Sequence, residues 1–258
     1  MKYKNTLTIF LSVSLFLSLS ILWGTVLGSD GTSVPPGESP QGKIPKRITG
    51  KDGTPMMLIP AGEFQMGSAE GEDDEKPVHT VYVDAFYMDI YTVTNAQYQK
   101  FLEATGREPQ GYWSQGFDRY DYPNQPAIGM TWQRAVDYCR WAGKRLPTEA
   151  EWEKAARGGL EGKKYPWGDE LPDETKTNFD KYLSGYSTPV GSYPPSGYGL
   201  HDMAGNISEW CYDWYRPDYY QNSPQRNPKG PDSGFHGQRI VRGGFWQSIP
   251  KMDRRTLS

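Results

Sequence analysis

The sequence predicts an α+β domain in which three short helices and a small, mainly antiparallel sheet are joined by long loops. Threonines followed by amphipathic stretches mark three helix starts, and runs of β-branched and aromatic residues mark a few strands. The chain also has 29 Gly, 21 Pro and 14% aromatic residues. This composition favours turns and aromatic packing over a helical bundle.

Each predicted helix begins at a threonine N-cap and ends at a glycine. A threonine hydroxyl accepts from the unbonded N–H groups of the first turn, and glycine adopts the left-handed conformation that closes a helix. Gln97 and Glu151, three residues after their caps, complete two capping boxes. The third helix is predicted over Glu149–Arg157. The caps are Thr94, Thr131 and Thr148, and the closing glycines are Gly106, Gly143 and Gly158-Gly159.

The predicted strands are apolar and aromatic runs bounded by turn residues. We predict strands within Met56–Met66, Val81–Tyr91 and Arg239–Trp246. Beyond Gly159, motifs rich in Pro, Gly and Tyr replace long regular elements, so the second half is predicted to consist mostly of loops.

The first residues resemble an export signal. Lys2 and Lys4 precede an uncharged stretch, and Val26 and Gly28 fit a cleavage site, which predicts a signal peptide over residues 1–28. The alternative is an uncleaved membrane anchor over residues 7–27. Residues 29–51 are rich in Pro, Gly and Ser and are predicted to be a flexible linker before a domain at 52–258. In both cases the domain is exported, periplasmic or secreted.

Charge and residue counts exclude several classes of function. The formal net charge is −3 and the chain has no basic run, so no nucleic-acid partner is expected. Two cysteines and three histidines exclude a disulfide-rich scaffold, a Cys-rich metal site and a His-rich metal centre. No motif of a serine hydrolase, a zinc protease or a P-loop is present.

Several ordered motifs resemble one known family. They are Met57–Gly67, the stretch Tyr138–Glu153 with the sequence YCRWAGKRLPTEAEWE, Asp202–Asn206 and Arg242–Gly244. Together they resemble the formylglycine-generating enzyme (sulfatase-modifying factor) family over residues 55–255. The resemblance implies a loop-rich variant of the C-type lectin fold. It also implies a final strand that this sequence lacks, so we expect an unpaired sheet edge.

The residues expected at the family's catalytic centre differ here. Members that oxidise a sulfatase cysteine to formylglycine use two cysteines that bind copper(I), and the matching positions hold Ser248 and Asp253. Copper(I) prefers thiolates to hydroxyls and carboxylates, so copper is not expected. Phe245 and Ser208 also replace the serine and tryptophan implied by the resemblance.

Calcium is the predicted cofactor. The stretch from Asp202 to Glu209 combines two carboxylates with backbone carbonyls, which are ligands that calcium uses. The resemblance assigns Asp202 and Glu209 as side-chain ligands and Gly205 and Ile207 as carbonyl ligands. The alternative is that the two carboxylates only cap turns. Asn178 and Phe179 match half of a second site.

Other candidate residues have structural interpretations. Cys139 and Cys211 are predicted to be small buried hydrophobic residues, and Glu149, Glu151 and Glu153 a solvated first helical turn. Two functions follow. The first is an exported, calcium-stabilised binding or accessory module, a pseudoenzyme whose partner is a protein, a peptide or a glycan and includes a sulfatase as one candidate. The second is a formylglycine-generating oxidase.

Overall fold

The computed structural model describes residues 45–109, 122–179 and 186–247, together with the backbone of 255–257. Its helices are α1 (Asn95–Thr105), α2 (Trp132–Trp141) and α3 (Glu149–Arg157). Within these ranges, three short 3₁₀ turns lie at Asp73–Glu75, Tyr219–Asn222 and Phe235–Gly237. The strands are β1 (Arg47–Thr49), β2 (Pro55–Ile59), β3 (Gly62–Met66), β4 (His79–Val83), β5 (Phe86–Asp89), β6 (Glu209–Trp214), β7 (Arg239–Arg242) and β8 (Arg255–Leu257).

The three helices confirm the predicted boundaries. Thr94 and Thr148 accept from the N3 backbone N–H while the N3 side chain accepts from the cap, so both capping boxes form. Thr131 caps α2 without this reciprocal bond. Gly106 and Gly158 close their helices with φ near +60°, where a β-carbon is unfavourable.

The strands form three small antiparallel sheets, with the orders β1-β2-β5, β3-β4 and β6-β7-β8. Each long predicted strand is shorter than expected. Met56–Met66 breaks at Pro60, which lacks a backbone N–H, and Val81–Tyr91 breaks at Asp84-Ala85. The strand predicted over Arg239–Trp246 ends at Arg242, because Gly243 and Gly244 both adopt positive φ.

The domain extends further towards the N-terminus than predicted. β1 pairs with β2 through Arg47↔Met57 and Thr49↔Pro55, and the compact unit spans residues 44–258. The linker predicted over 29–51 is therefore wrong over its last residues, because ladder hydrogen bonds order them. The signal segment 1–28 lies outside the described residues, so it stays a prediction. In the part of the chain that is described, no helix is long and apolar enough to cross a membrane.

Every residue of helix α3 is buried. Trp152, Ala155 and Ala156 pack against Ile59 of β2 and Ile240 of β7. A second cluster, around Phe64 and Val81, packs β3 and β4 against Ala150 at the start of the helix. A third joins α1 and α2 through Tyr98, Phe101, Leu102, Tyr138 and Ala142. Helix α3 thus links the first two sheets to strand β7.

The glutamates of α3 are not solvated, contrary to the prediction. Glu149 and Glu153 are about 2% and 1% exposed, and Glu151 is also buried. Arg242 of β7 donates to Glu149 Oε1 at 3.2 Å and to Glu153 Oε2 at 2.6 Å, while Arg157 donates to Glu153 Oε1 at 2.7 Å. Buried carboxylates need such partners, and these arginines supply them.

Candidate functional site

The predicted calcium loop, residues 202–209, is held between two other loops. Gly205 N–H donates to the Gly243 carbonyl at 2.7 Å, and Asn206 N–H donates to the Asn178 carbonyl at 2.9 Å. Gly205 has φ of +80°, and a β-carbon there would collide with Thr177 Oγ1. Only glycine fits this position, so the loop packs directly against the segment that contains the second predicted site.

Asp202 has one carboxylate oxygen without a partner. Its Oδ2 accepts from the Gly191 N–H at 2.7 Å, whereas its Oδ1 is buried and has no hydrogen bond within the described residues. Burial raises the pKa of this carboxyl, since the charged form lacks solvation. An orphaned buried oxygen on a carboxylate fits a cation ligand.

Glu209, at the start of β6, is oriented by two donors. Thr92 Oγ1 donates to Oε1 at 2.6 Å and Trp152 Nε1 donates to Oε2 at 2.7 Å. Burial raises the pKa of the Glu209 carboxyl, although both donors oppose this effect. The nearby charges of Asp202 and Asp89 raise it further. A carboxylate has about four lone-pair sites, so two donors leave capacity for a cation.

The described residues hold no group of three or more His, Cys, Asp or Glu side chains suited to a metal ion. A cation at Asp202 and Glu209 therefore depends on backbone carbonyls. Gly205 and Ile207 lie in the same loop, as the sequence pattern requires. Calcium accepts this mixture of ligands, whereas thiophilic metals do not.

The second predicted pair lies beside this loop. Asn178 is buried, and its Nδ2 donates to the Tyr186 carbonyl at 2.8 Å and to Asn206 Oδ1 at 3.4 Å. Phe179 follows it in the chain, and the next residues lie outside the described ranges. A second calcium site at Asn178 and Phe179 thus stays a prediction.

Ser248 and Asp253 lie outside the described residues. The turn before them is described: Phe245 contacts Trp246 edge-to-face, with ring centroids 5.9 Å apart, and Trp246 N–H donates to the Asn206 carbonyl at 3.1 Å. The turn that leads to Ser248 thus packs against the predicted calcium loop.

Both cysteines are unpaired thiols. Cys211 of β6 is fully buried in the core, which confirms its interpretation as a small hydrophobic residue. Cys139 of α2 is only half-buried and lines a cavity. Burial, with the charge of Asp89, raises the pKa of Cys139 to about 12. Burial also raises the pKa of Cys211, so both thiols stay protonated at neutral pH.

The sequence did not predict a cavity of about 560 Å³ beside these residues. Its walls come from β5, from α2 and from the start of β6, and Ser208, Glu209 and Cys139 all line it. The volume lies in the usual range for ligand pockets, about 300–1,000 Å³. The predicted calcium loop therefore borders an open, mainly apolar space.

Comparisons with known proteins place these features in a family. The family model described as "Sulfatase-modifying factor enzyme 1-like domain" matches residues 41–257. A protein named serine/threonine-protein kinase pkn1, from Chlamydia pneumoniae, is 43% identical over 213 residues, 76% of this chain and 33% of that protein. The chain thus spans about a third of the length of this relative.

Two further relatives carry names that concern formylglycine. The formylglycine-generating enzyme of Streptomyces coelicolor is 39% identical over 252 residues, which cover 74% of this chain and 78% of that enzyme. The inactive C-alpha-formylglycine-generating enzyme 2 of Bos taurus is 33% identical over 248 residues, with 74% and 76% covered.

A solved structure agrees with the fold. The structure of PvdO from Pseudomonas aeruginosa superimposes with a TM-score of 0.68 at 26% identity and covers 84% of this chain and 94% of that one. The α+β, loop-rich fold class predicted from the sequence is confirmed.

Proposed function

Because this chain belongs to the family of sulfatase-modifying factor enzyme 1-like domains, we propose that it is a calcium-stabilised binding or accessory module without copper–thiolate oxidase activity. The state of its two thiols carries this proposal. Copper(I) is bound by thiolates, and burial raises the pKa of both Cys139 and Cys211. Ser248 and Asp253 supply no sulfur. The inactive relative from Bos taurus supports such a role.

The competing function is the oxidase, which would convert a sulfatase cysteine to formylglycine. The test is to incubate the full chain with copper(I), oxygen and a Cys-x-Pro-x-Arg peptide, and to follow the thiol-to-aldehyde mass change. We expect no conversion, while the Streptomyces coelicolor relative serves as positive control. The double variant Ser248→Cys, Asp253→Cys is expected to gain tight copper(I) binding. Turnover by the unmodified chain would overturn the proposal.

We propose that calcium binds between Asp202 and Glu209, with the carbonyls of Gly205 and Ile207 as further ligands. Asn178 and Phe179 would contribute to a second ion. When bound, calcium would supply positive charge that compensates the two buried carboxylates. The orphaned Oδ1 of Asp202 supports this assignment, because a buried acceptor without a partner destabilises the fold.

Calcium is expected to raise the melting midpoint relative to a chelator. A ligand that binds only the folded state raises the free energy of unfolding by about 2.7 kcal/mol when its free concentration is a hundred times its Kd. The variant Asp202→Asn should lose the response. Its amide oxygen can still accept from Gly191, and asparagine tolerates the φ of +57° found here. Because burial raises the pKa of Asp202, the neutral amide should not destabilise the calcium-free protein.

The matched control is Asp232→Asn, on an exposed loop, which should keep the full calcium response. Differential scanning calorimetry in calcium and in chelator measures all three proteins. Equal midpoints for the unmodified chain in both buffers would remove calcium from the proposal.

We also propose that the module acts outside the cytoplasm. The pattern of residues 1–28 supports export, and cleavage before Ser29 would release the domain from the membrane. The partner is a protein, a peptide or a glycan, and a sulfatase is one candidate because two relatives are named for formylglycine generation.

A further inference from the structure

A second pocket, of about 460 Å³, opens between the β4–β5 turn, the start of α3 and strand β6. The turn contributes Asp84 and β6 contributes Tyr212. Arg145, just before α3, and Glu151 within it form another wall, and the segment 227–229 forms the last. No residue of the predicted calcium loop lines this pocket. Every described residue that does line it lies between positions 83 and 229.

Tyr212 gives this pocket an exposed aromatic ring. The residue lies between the buried Cys211 and Asp213 in β6, and it is 47% exposed. Its ring contacts that of Trp132 in α2, with centroids 6.0 Å apart, and the Arg239 guanidinium lies 6.0 Å from its centroid. Because these neighbours hold the ring in place, a ligand can stack on it at a small cost in conformational entropy.

Arg145 offers hydrogen-bond donors in a fixed position. Glu151 accepts from its Nη1 and Nη2 at 2.6 and 2.7 Å, and the Leu146 carbonyl accepts from Nη1 at 3.1 Å. A guanidinium has five N–H donors, so two of them have no partner within the described residues. The side chain is 61% exposed, and a ligand in the pocket can therefore reach them.

Asp84 offers acceptors that are fixed in a similar way. Its Oδ2 accepts from Asn227 Nδ2 at 2.7 Å, and its Oδ1 accepts from Arg226. Asn227 Oδ1 in turn accepts from the Asp84 N–H at 2.8 Å. A carboxylate has about four lone-pair sites, and the Asp84 side chain is about half exposed. It can therefore accept further hydrogen bonds from a ligand.

The charges of the pocket wall largely cancel. Arg145 is paired with Glu151. Asp84 is paired with Arg226. Lys229 also lines the pocket, but it is exposed to solvent, where water and salt screen its attraction for an anion. An aromatic ring beside donors and acceptors of little net charge suits an uncharged ligand that carries many hydroxyl groups.

We propose that this pocket binds one or two uncharged pyranose residues of a glycan. The positively polarised C–H groups on one face of the sugar stack on Tyr212, because the face of an aromatic ring is negative. Neighbouring hydroxyls accept from Arg145 and donate to Asp84, since a hydroxyl is both a donor and an acceptor. This inference rests on the proposed function, since it names a glycan as the ligand of the binding module.

The test titrates the full chain with the uncharged disaccharides cellobiose, lactose and N,N′-diacetylchitobiose, followed by saturation-transfer difference NMR. One stacked ring and a few hydrogen bonds support a Kd of about 1 mM, so each sugar is taken to roughly tenfold above that concentration. We expect saturable binding of at least one sugar, with the strongest transfer to protons on one face of its ring. The Kd should not change with salt concentration, because the ligand carries no charge.

The variant Tyr212→Ala should abolish binding, whereas Tyr212→Phe keeps the aromatic ring and should bind to within about threefold of the unmodified chain. The matched control is Tyr122→Ala. Tyr122 is 48% exposed and does not line the pocket, so this variant should bind normally. If Tyr212→Ala fails to fold, Asp84→Ala decides instead, because loss of the acceptor should weaken binding about tenfold.

Calcium distinguishes this pocket from the predicted calcium loop. The groups that contact the sugar need no ion, so the Kd should be equal in calcium and in chelator. Both titrations are made well below the melting midpoint of the calcium-free protein, so that the chain is folded in each.

Four results would contradict the inference. They are no binding of any of the sugars, normal binding by folded Tyr212→Ala, binding that requires calcium, and a preference for glucuronic acid that is lost at high salt. The last result would identify an anion as the ligand. Each is distinct from failure of the proposed function, which shows as turnover in the thiol assay.

Discussion

Replacing Arg242 by Met is expected to lower the free energy of unfolding by about 3–5 kcal/mol, because it leaves two buried carboxylates without their shared partner. The guanidinium is 1% exposed and bonds Glu149 and Glu153 on α3. It also lies 5.3 Å from the ring centroid of Trp152. Methionine preserves much of the side-chain volume, so the loss reports charge compensation more than packing. Urea denaturation followed by tryptophan fluorescence measures it.

The matched control is Arg216→Met. This arginine pairs with Asp218, but both side chains are about half exposed, so the free energy of unfolding should hardly change. Equal losses in the two variants would contradict the role assigned to the buried network.

The difference in the free energy of unfolding between the unmodified chain and Arg242→Met is expected to become smaller at acidic pH. Burial works against the charged form of Glu153, yet Arg242 and Arg157 outweigh it and hold its pKa below the ordinary 4.5. A lowered pKa in the folded state contributes stability above the unfolded pKa and loses it as pH falls through the folded value. Unfolding curves from pH 7 down to pH 3 should therefore show the two proteins converging below pH 4.5.

Replacing Trp152 by Ala is expected to destabilise the fold by about 3–5 kcal/mol, the usual cost of removing a buried aromatic side chain. Trp152 is 1% exposed in the central cluster. Its ring is closely packed, because a β-carbon added at Gly243 would lie only 3.3 Å from Cζ2 of the indole. Its Nε1 also orients Glu209 at 2.7 Å. Chemical denaturation should show the loss, and the variant should also respond less to calcium.

Trp167→Ala is the control for this variant. Trp167 is half-buried and stacks on Tyr165 with centroids 5.1 Å apart, so its removal opens less of a cavity and should cost clearly less. A calcium response that survives intact in Trp152→Ala would show that Glu209 does not depend on the indole for its position.

The helix limits were predictable because their causes are local. Thr94 and Thr148 lie within three residues of the groups that they cap, and glycine adopts the closing φ with the least strain. Strand β6 was missed, although Trp210, Tyr212 and Trp214 alternate with the buried Cys211 and Asp213. The buried Asp213 interrupts the apolar alternation expected of a strand. It lies inside because its carboxylate accepts a hydrogen bond from the Glu149 N–H at 2.9 Å.

The candidate site was predictable in part for the same reason. Asp202, Gly205, Ile207 and Glu209 occur within eight residues, so their chemistry can be recognised as a pattern. The Asp202 oxygen that lacks a partner depends on Gly191 and on the burial of the loop. The orientation of Glu209 depends on Thr92 and Trp152. These partners come from other parts of the fold, and no sequence pattern predicts that they contact Asp202 or Glu209.

The sequence by itself determined the α+β class, the three helices and the family. Each depends on neighbouring residues or on motifs read in order. The tertiary structure alone decided which charges are compensated and which surfaces stay open. Arg242 contacts Glu149 and Glu153 across about ninety residues of chain, and the cavity lies between β5, α2 and the start of β6. Such long-range contacts affect stability because a buried charge has lost its solvation by water and needs a charged or hydrogen-bonding partner in the protein instead.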